Sequence, residues 1–218
     1  LYQSGNNNSD DFVIINKELK FGSIGTSYEL VIDNNMKLYL RKEIEKNVKE
    51  WKIFNENVSP SIVCSQSKNS NELILPYFPI GSLKSITNKT QSFQRTIEFT
   101  LVDKYVIILE IATALNDLHS QDQYHGNLSS DFIFISSSKD AYLAEVCYVG
   151  ETEEKSNEIP ETDNEQMKLS DVYSFGDLMN EILTNKSPQS LIEEKIEIQG
   201  MKEIIEKCMK TDVNERFE

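Results

Sequence analysis

At 218 residues, the chain is long enough to bury a sizeable core, either in one large domain or in two small lobes. It carries 36 acidic and 22 basic residues, and its formal net charge of −14 would repel nucleic acid and anionic lipid, so neither is expected as a partner. No apolar run reaches the roughly 18 residues that a membrane-spanning helix needs, so direct membrane insertion is not expected. The three cysteines, Cys64, Cys147 and Cys208, lie far apart and favour a reducing compartment without disulfides or a zinc site.

The first 11 residues are expected to lie outside the folded domain. Residues 1–5 resemble a protease-site scar left by cloning, and residues 6–11 form a polar lead-in that we predict to be disordered. The apolar run from Phe12 predicts a first strand, and a second strand is predicted to end at Asp33. The pair Asn34–Asn35 tolerates positive φ and predicts a tight hairpin before a third strand over residues 36–42.

One helix and two further strands complete the predicted N-terminal part. A helix is predicted over residues 43–57 because apolar residues recur there at near-helical spacing, namely Ile44, Val48, Trp51 and Phe54. Strands are predicted over residues 61–65 and 72–77, with a polar turn between them.

The remainder of the chain is predicted to be mostly helical. A core helix over residues 100–119 has an apolar stripe made of Leu101, Tyr105, Ile108, Ala112, Leu115 and Leu118, broadened by Leu109 and Ile111. A polar loop then leads to a short buried strand over residues 133–135. Two more helices are predicted, one over residues 168–184 and one within residues 201–216.

The polar loop carries the first resemblance to a known family. The stretch from His125 to Phe132 resembles the catalytic loop of protein kinases, H-R-D-L-x-x-x-N. The histidine and Leu128 match, but Gly126 replaces the arginine, Asn127 the catalytic aspartate and Phe132 the metal-binding asparagine. An amide cannot accept a proton as a carboxylate does, and a phenyl ring cannot coordinate Mg²⁺. The loop therefore resembles a catalytic loop in shape but not in chemistry.

The scaffold motifs of the same family are better preserved. Residues 170–176, S-D-V-Y-S-F-G, are nearly identical to the αF region of tyrosine-kinase-like and tyrosine kinases, and residues 159–161 resemble A-P-E. The resemblance implies that Asp171 caps the catalytic-loop backbone from the core and that Arg216 pairs with Glu161. It also implies that His125 holds the loop backbone and does not act as a base.

The nucleotide-binding motifs are weaker. Gly22 and Gly25 match the second and third glycines of a kinase glycine-rich loop, with Lys20 in place of the first. Residues 38–41 resemble V-A-I-K, which places Arg41 at the lysine position and Tyr39 beside it, where its ring would take the space of adenine. A shift of one residue would place Leu40 and Lys42 there instead. We favour Arg41 and leave the register open; Glu50 takes the position of the glutamate that pairs with this lysine.

The kinase hinge and the second metal-binding motif also have counterparts in this sequence. Residues 73–83 resemble the kinase hinge, with Leu75 as gatekeeper, and adenine would bind the carbonyl of Pro76 and the N–H of Phe78. Glu145 stands at the aspartate of D-F-G. A glutamate is one carbon longer than this aspartate, and without an asparagine at position 132 the second metal ligand is missing.

The resemblance covers residues 12–218 and implies an α+β, two-lobed protein kinase-like fold. We predict an N-lobe over residues 12–78, with a five-stranded antiparallel sheet and one main helix, and a mostly helical C-lobe over residues 79–218. The predicted function is that of a pseudokinase, a catalytically inactive regulatory module in signalling, with neither cofactor nor metal. The alternatives are a nucleotide sensor that binds ATP without metal and an atypical kinase that uses Glu145 for metal.

The resemblance also implies a cellular location and a class of partner. We expect a cytoplasmic domain, on its own or as the intracellular part of a larger protein. Its expected partners are proteins, such as another kinase or a fused effector domain, and a homodimer is a further alternative.

Overall fold

The computed structural model describes residues 12–21, 26–43, 72–87, 97–144, 164–184 and 199–217. A four-stranded antiparallel sheet comes first in the chain. Its strands, which lie side by side in chain order, are β1 (Val13–Phe21), β2 (Thr26–Ile32), β3 (Leu38–Glu43) and β4 (Glu72–Pro76). The helix predicted over residues 43–57 and the strand predicted over residues 61–65 fall almost entirely outside the described residues, so four of the five predicted strands are described.

The turn between β2 and β3 forms around the side chain of Asp33. This buried carboxylate accepts hydrogen bonds from the backbone N–H groups of Asn35 (2.9 Å) and Lys37 (2.8 Å). A hairpin at Asn34–Asn35 was predicted, but the positive φ falls on Met36, at 62°. The carboxylate explains the difference, because it fixes the turn through the two N–H groups and leaves the left-handed residue one position later.

The second half of the described chain is mainly helical. Its elements are β5 (Gly81–Ser82), α1 (Leu83–Thr87), α2 (Leu101–Ser120), β6 (Ile133–Ile135), β7 (Ala141–Leu143), α3 (Asn164–Thr184), α4 (Gln199–Cys208) and a short 3-10 helix (Val213–Glu215). The strands β5, β6 and β7 form a small antiparallel sheet. Helix α2 packs against α3 and β7, and α3 packs against α4. The sheet and the helices together confirm the α+β fold class.

Helix α2 begins with a capping box, in which Thr100 and Asp103 bond to each other's backbone N–H groups. It buries Ile107, Ile108, Ile111, Ala114, Leu115 and Leu118. Two residues of the predicted stripe are exposed instead, Leu101 by 43% and Leu109 by 65%. This part of the helix is apolar on almost every side, so the sequence pattern allowed more than one inward face, and packing against α3 and β7 decided which is buried.

Candidate functional site

The loop between α2 and β6 is held by Asp171, a residue of α3 that is only 1% exposed. One carboxylate oxygen accepts the backbone N–H of His125 (2.6 Å) and the other that of Gly126 (2.9 Å). The His119 ring contributes a third contact, with its Nε2 3.1 Å from the carboxylate. The structure therefore places Asp171 against the loop backbone, as the resemblance implied.

His125 lies in the core, fully buried, and both of its ring nitrogens contact the backbone. Its Nδ1 accepts the N–H of Asn127 (3.2 Å), which requires that the proton of the neutral ring be on Nε2. That Nε2–H then donates to the carbonyl of Ala144 (3.1 Å), the residue directly after β7. Because both nitrogens are engaged, His125 positions the loop and has no ring nitrogen left to serve as a base.

Two described catalytic positions lack the groups that phosphoryl transfer needs. Asn127 is exposed, and its amide cannot take up a proton from a substrate hydroxyl. Phe132, at the metal-binding position, is buried, with its ring centroid 6.2 Å from that of His125. Gly126 adopts a φ of 78°, and a Cβ there would lie 3.3 Å from the ring of Tyr124, so the loop is built around glycine where kinases carry arginine.

The register of β3 differs from the one that we favoured. Leu40 packs with Tyr28 and Leu75 on one face of the sheet, and the ammonium group of Lys42 lies 5.7 Å from the centre of the Tyr28 ring. Successive strand residues point to opposite faces, so Tyr39 and Arg41 point to the other face. We call the space that adenine would occupy in a kinase the cleft. The favoured placement of Arg41 and Tyr39 in the cleft is thus wrong, and the alternative pair, Leu40 and Lys42, lies on the cleft side.

Arg41 has carboxylate partners on its own face. Its guanidinium donates to Glu29 on β2 (2.6 Å) and lies 3.8 Å from Glu72 on β4. The ring of Tyr39 lies edge-on to Phe12, with a centroid distance of 5.5 Å. The Arg41 contacts join β3 to its neighbours β2 and β4, and the partners of both side chains lie on the face turned away from the cleft.

An aromatic cluster joins the four-stranded sheet to the helical part. We call it the cleft cluster; its buried members are Tyr28, Leu40, Leu75, Phe78, Phe134 and Ala144. The Tyr28 ring meets Phe134 edge-on at a centroid distance of 6.2 Å, and Phe78 stacks on Phe134 at 5.2 Å. Sequence reasoning placed Leu75 and Phe78 near adenine but missed Tyr28 and Phe134. The bulk of Phe134, two residues after the degenerate metal position, was the available signal.

A second polar network ties the loop to α1 and α3, and sequence reasoning did not foresee it. Glu181 accepts hydrogen bonds from the hydroxyl of Ser130 (3.0 Å) and the ammonium of Lys84 (3.2 Å). Asp177 lies one helical turn before Glu181. Burial, followed by repulsion from Glu181, raises the pKa of Asp177 to about 6, against the weaker opposite effect of Lys84. A carboxyl group whose pKa is raised to about 6 therefore lies beside this network.

Arg216 anchors the C-terminal end to α3. It donates to the carbonyl of Leu169 (2.9 Å) and to that of Lys210 (2.8 Å), and its guanidinium lies over the ring of Tyr173 at 4.9 Å. Its implied partner, Glu161, lies outside the described residues. The other site positions outside them are Gly22, Gly25, Glu50 and Glu145. Within the described ranges there is no group of three or more acidic, histidine or cysteine side chains that could hold a metal ion.

The sheet, the two long helices and the loop held by an α3 aspartate define a protein kinase-like domain whose catalytic positions are degenerate. The family model for protein tyrosine and serine/threonine kinases matches residues 26–203. The chain belongs to this family. With Asn127 and Phe132 at two positions that act together in catalysis, it is an inactive member, a pseudokinase.

The similar proteins include three from Arabidopsis thaliana. A probable inactive receptor kinase is 28% identical over 193 residues, which cover 78% of this chain and 30% of that protein. A second probable inactive receptor kinase is 27% identical over 194 residues, which cover 78% of this chain and 29% of that protein. An inactive leucine-rich repeat receptor-like serine/threonine-protein kinase is 24% identical over 204 residues, which cover 83% of this chain and 33% of the length of that kinase. This chain thus spans about a third of the length of these relatives. Among the described helices, none is both long and apolar enough to cross a membrane.

Proposed function

We propose that this domain acts in signalling as a regulatory module, by binding other proteins or by allosteric control, without phosphoryl transfer or nucleotide binding. The observation that carries the proposal is the cleft cluster, in which Tyr28 and Phe134 touch across the space beside the hinge. A purine held between two apolar surfaces needs about 7 Å between them, because carbon atoms in contact lie about 3.5 Å apart. The edge-on contact of the two rings leaves no such gap.

The catalytic positions support the same proposal. Asn127 offers no base and Phe132 no metal ligand, and members of one catalytic unit fail together, so restoring one of them does not restore the rate. We expect no autophosphorylation with radiolabelled ATP, either in the wild-type protein or in Asn127→Asp. Incorporation above background that Glu145→Gln abolishes would refute the proposal and support the atypical kinase.

Nucleotide binding is tested by thermal shift with ATP, with and without Mg²⁺ or Mn²⁺. A ligand present at 100 times its Kd stabilises a fold by roughly 2.7 kcal/mol, which should raise the Tm of a domain of this size by several degrees. We expect a shift below about 1 °C at millimolar ATP in every condition.

Lys42 favours one alternative, a sensor that binds ATP without metal, because its ammonium lies on the cleft side of β3. A metal-independent shift that Lys42→Ala abolishes would establish this sensor. Arg41→Ala is the matched control, since Arg41 is the next residue along the strand and points to the opposite face. Each variant is compared with its own melting temperature without ATP, because Arg41 also carries ion pairs.

The names of the relatives bear on cellular context. They refer to receptor kinases, which supports the proposal that this domain is the cytoplasmic part of a larger signalling protein. Its partner would then be another kinase or an effector domain on the same chain, and a homodimer is the other arrangement that we propose to test. The net charge of −14 supports the proposal that nucleic acid is not a partner.

A further inference from the structure

The solvent-facing side of α2 exposes several large apolar side chains. We call it the α2 outer face and define it by five exposed residues: Val102, Val106, Leu109, Thr113 and Asn116. Its three large apolar side chains are 71%, 43% and 65% exposed, in chain order. We propose that this face binds an amphipathic helix of a partner protein, with an apolar seam and a basic flank. The inference rests on the proposed protein-binding function and names the surface and the chemistry of the partner.

The α2 outer face carries no charge, although 27% of the residues of the chain are charged. The outward side of a surface helix is ordinarily charged or polar. The basic residue Lys104 on the same helix points inward, where its ammonium donates to the carbonyl of Leu183. Helix α2 is 20 residues long, and its exposed face is uncharged. Packing within the domain does not require this, because the face contacts solvent.

The spacing on this face is that of a helix-pairing seam. Val102, Leu109 and Asn116 recur every seven residues, and so do Val106 and Thr113. Two helices that pack along their length repeat their contacts at this interval. The face thus offers two parallel rows, with bulky apolar side chains in the first half of the helix and small or polar ones in the second.

Charge along one edge identifies the kind of partner. Asp103, Glu110 and Asp117 also lie seven residues apart, which places them about 10 Å from one another along the helix. Lys139 pairs with Asp103 (2.6 Å), and Glu110 accepts the N–H of Ala141 with one oxygen (2.7 Å). Glu110 and Asp117 are both half-buried and add a carboxyl group each to the same edge, in the middle and in the last turn of α2, although burial raises the pKa of Glu110. A partner with lysine or arginine along its flank complements this edge.

A second copy of the chain fits this surface poorly. Each copy carries a net charge of −14 and the same acidic edge, so self-association along α2 would bring like charges together. A basic helix from a different protein meets the apolar rows and the acidic edge at once. This is the occupant that the geometry and the charge favour together.

The test uses two synthetic helical peptides with the same leucine seam at heptad spacing. One carries lysine at every flanking position and the other carries glutamate there. Fluorescence anisotropy with the whole chain should give a Kd at least about tenfold lower for the lysine peptide, and the difference should shrink at high salt.

Three protein variants locate the binding. Leu109→Gln should weaken binding of the lysine peptide by about tenfold or more, because Leu109 is central to the seam. Ile204→Gln is the matched control, an exposed apolar residue on α4 that is 41% exposed, and should leave the Kd unchanged. Asp117→Lys should reduce the preference for the lysine peptide. Leu109 and Ile204 are exposed and Asp117 is half-buried, and melting curves check that each variant folds.

Several outcomes would overturn the inference. These are equal affinity of the two peptides, no binding of the lysine peptide, or no effect of Leu109→Gln. A dimer of the chain that Leu109→Gln dissociates would replace the partner helix by a second copy. Failure here is separable from failure of the proposed function, because the phosphotransfer and thermal-shift measurements do not involve α2. If they give the expected negative results while the peptides fail, only the docking surface is wrong.

Discussion

Replacement of Asp171 by alanine tests the contact that joins α3 to the degenerate catalytic loop. The carboxylate accepts hydrogen bonds from the backbone of His125 and Gly126 and contacts the ring of His119. Alanine would remove all three acceptor contacts at once in a place that is almost fully buried. The domain is expected to fold but to melt at a lower temperature.

The magnitude follows from how buried each donor is. The N–H of His125 lies in the core and would lose its partner without access to water, at a cost of roughly 1–3 kcal/mol. Gly126 is exposed and His119 partly so, which lets water replace part of those two contacts, and together they add about 1–2 kcal/mol. The sum is roughly 2–5 kcal/mol, which at about 2–4 °C per kcal/mol in a domain of this size lowers Tm by about 4–20 °C.

Differential scanning calorimetry measures the Tm, and hydrogen exchange locates the change. The amides of His125 and Gly126 should exchange faster in Asp171→Ala by more than the global loss of stability explains. Asp171→Asn keeps one acceptor oxygen and should fall between wild type and alanine. Asp117→Ala, at a half-buried position of α2, is the control and should change Tm far less than Asp171→Ala. If Asp171→Ala melted within about 1 °C of wild type, the reasoning about this buried carboxylate would be refuted.

Three further predictions concern stability. Gly176→Ala should lower the free energy of unfolding by about 1–3 kcal/mol in denaturant titrations, because a Cβ there would lie 2.7 Å from that of Cys208. Gly200→Ala, with nothing within 4 Å, is its control and should be neutral or stabilising. The pKa of Asp177 is raised to about 6, so the native state binds the extra proton and this group's contribution to stability falls as pH rises from about 4 to about 6. Asp177→Asn should thus gain in Tm relative to wild type between pH 4 and pH 8, and a constant difference would contradict the shift. Lys139, then Thr100, lowers the pKa of Asp103 to about 2, so its contribution is complete above about pH 4 and is lost towards pH 2. Asp103→Asn should melt below wild type at pH 7 and like it at pH 2, and equal Tm values at pH 7 would count against the ion pair.

Motifs that depend on local spacing were readable from the sequence. The seven residues from Ser170 to Gly176 resemble the αF region of kinases, and this resemblance implied an aspartate against the loop backbone; α3 places Asp171 there. The loop from His125 to Phe132 showed its loss of chemistry directly. The amide of Asn127 cannot accept a proton as an aspartate does, and the ring of Phe132 cannot bind a metal ion as an asparagine does. These inferences needed only the match of short segments to the family's motifs and the identity of the residue at each matched position.

The face of β3 could not be read in the same way. Leu38, Tyr39, Leu40, Arg41 and Lys42 offer a basic residue and a large neighbour in either register, and a shift of one residue turns every side chain to the opposite face. Arg41 pairs with Glu29 and with Glu72, which lie on other strands. These ion pairs hold Arg41 on the face turned away from the cleft. No local pattern carries that information.

By itself, the sequence determined the family, the order of strands β1 to β4 and of helices α2 to α4, and the loss of two catalytic groups, because these depend on residue identity and on local motifs. Only the tertiary structure decided that Tyr28 and Phe134, more than 100 residues apart, meet in the cleft, and that α2 turns Leu109 to the solvent. Both depend on which surfaces pack together, and an apolar side chain packs equally well against many neighbours. The hydrophobic effect is non-directional, so the choice among them is made by the whole fold.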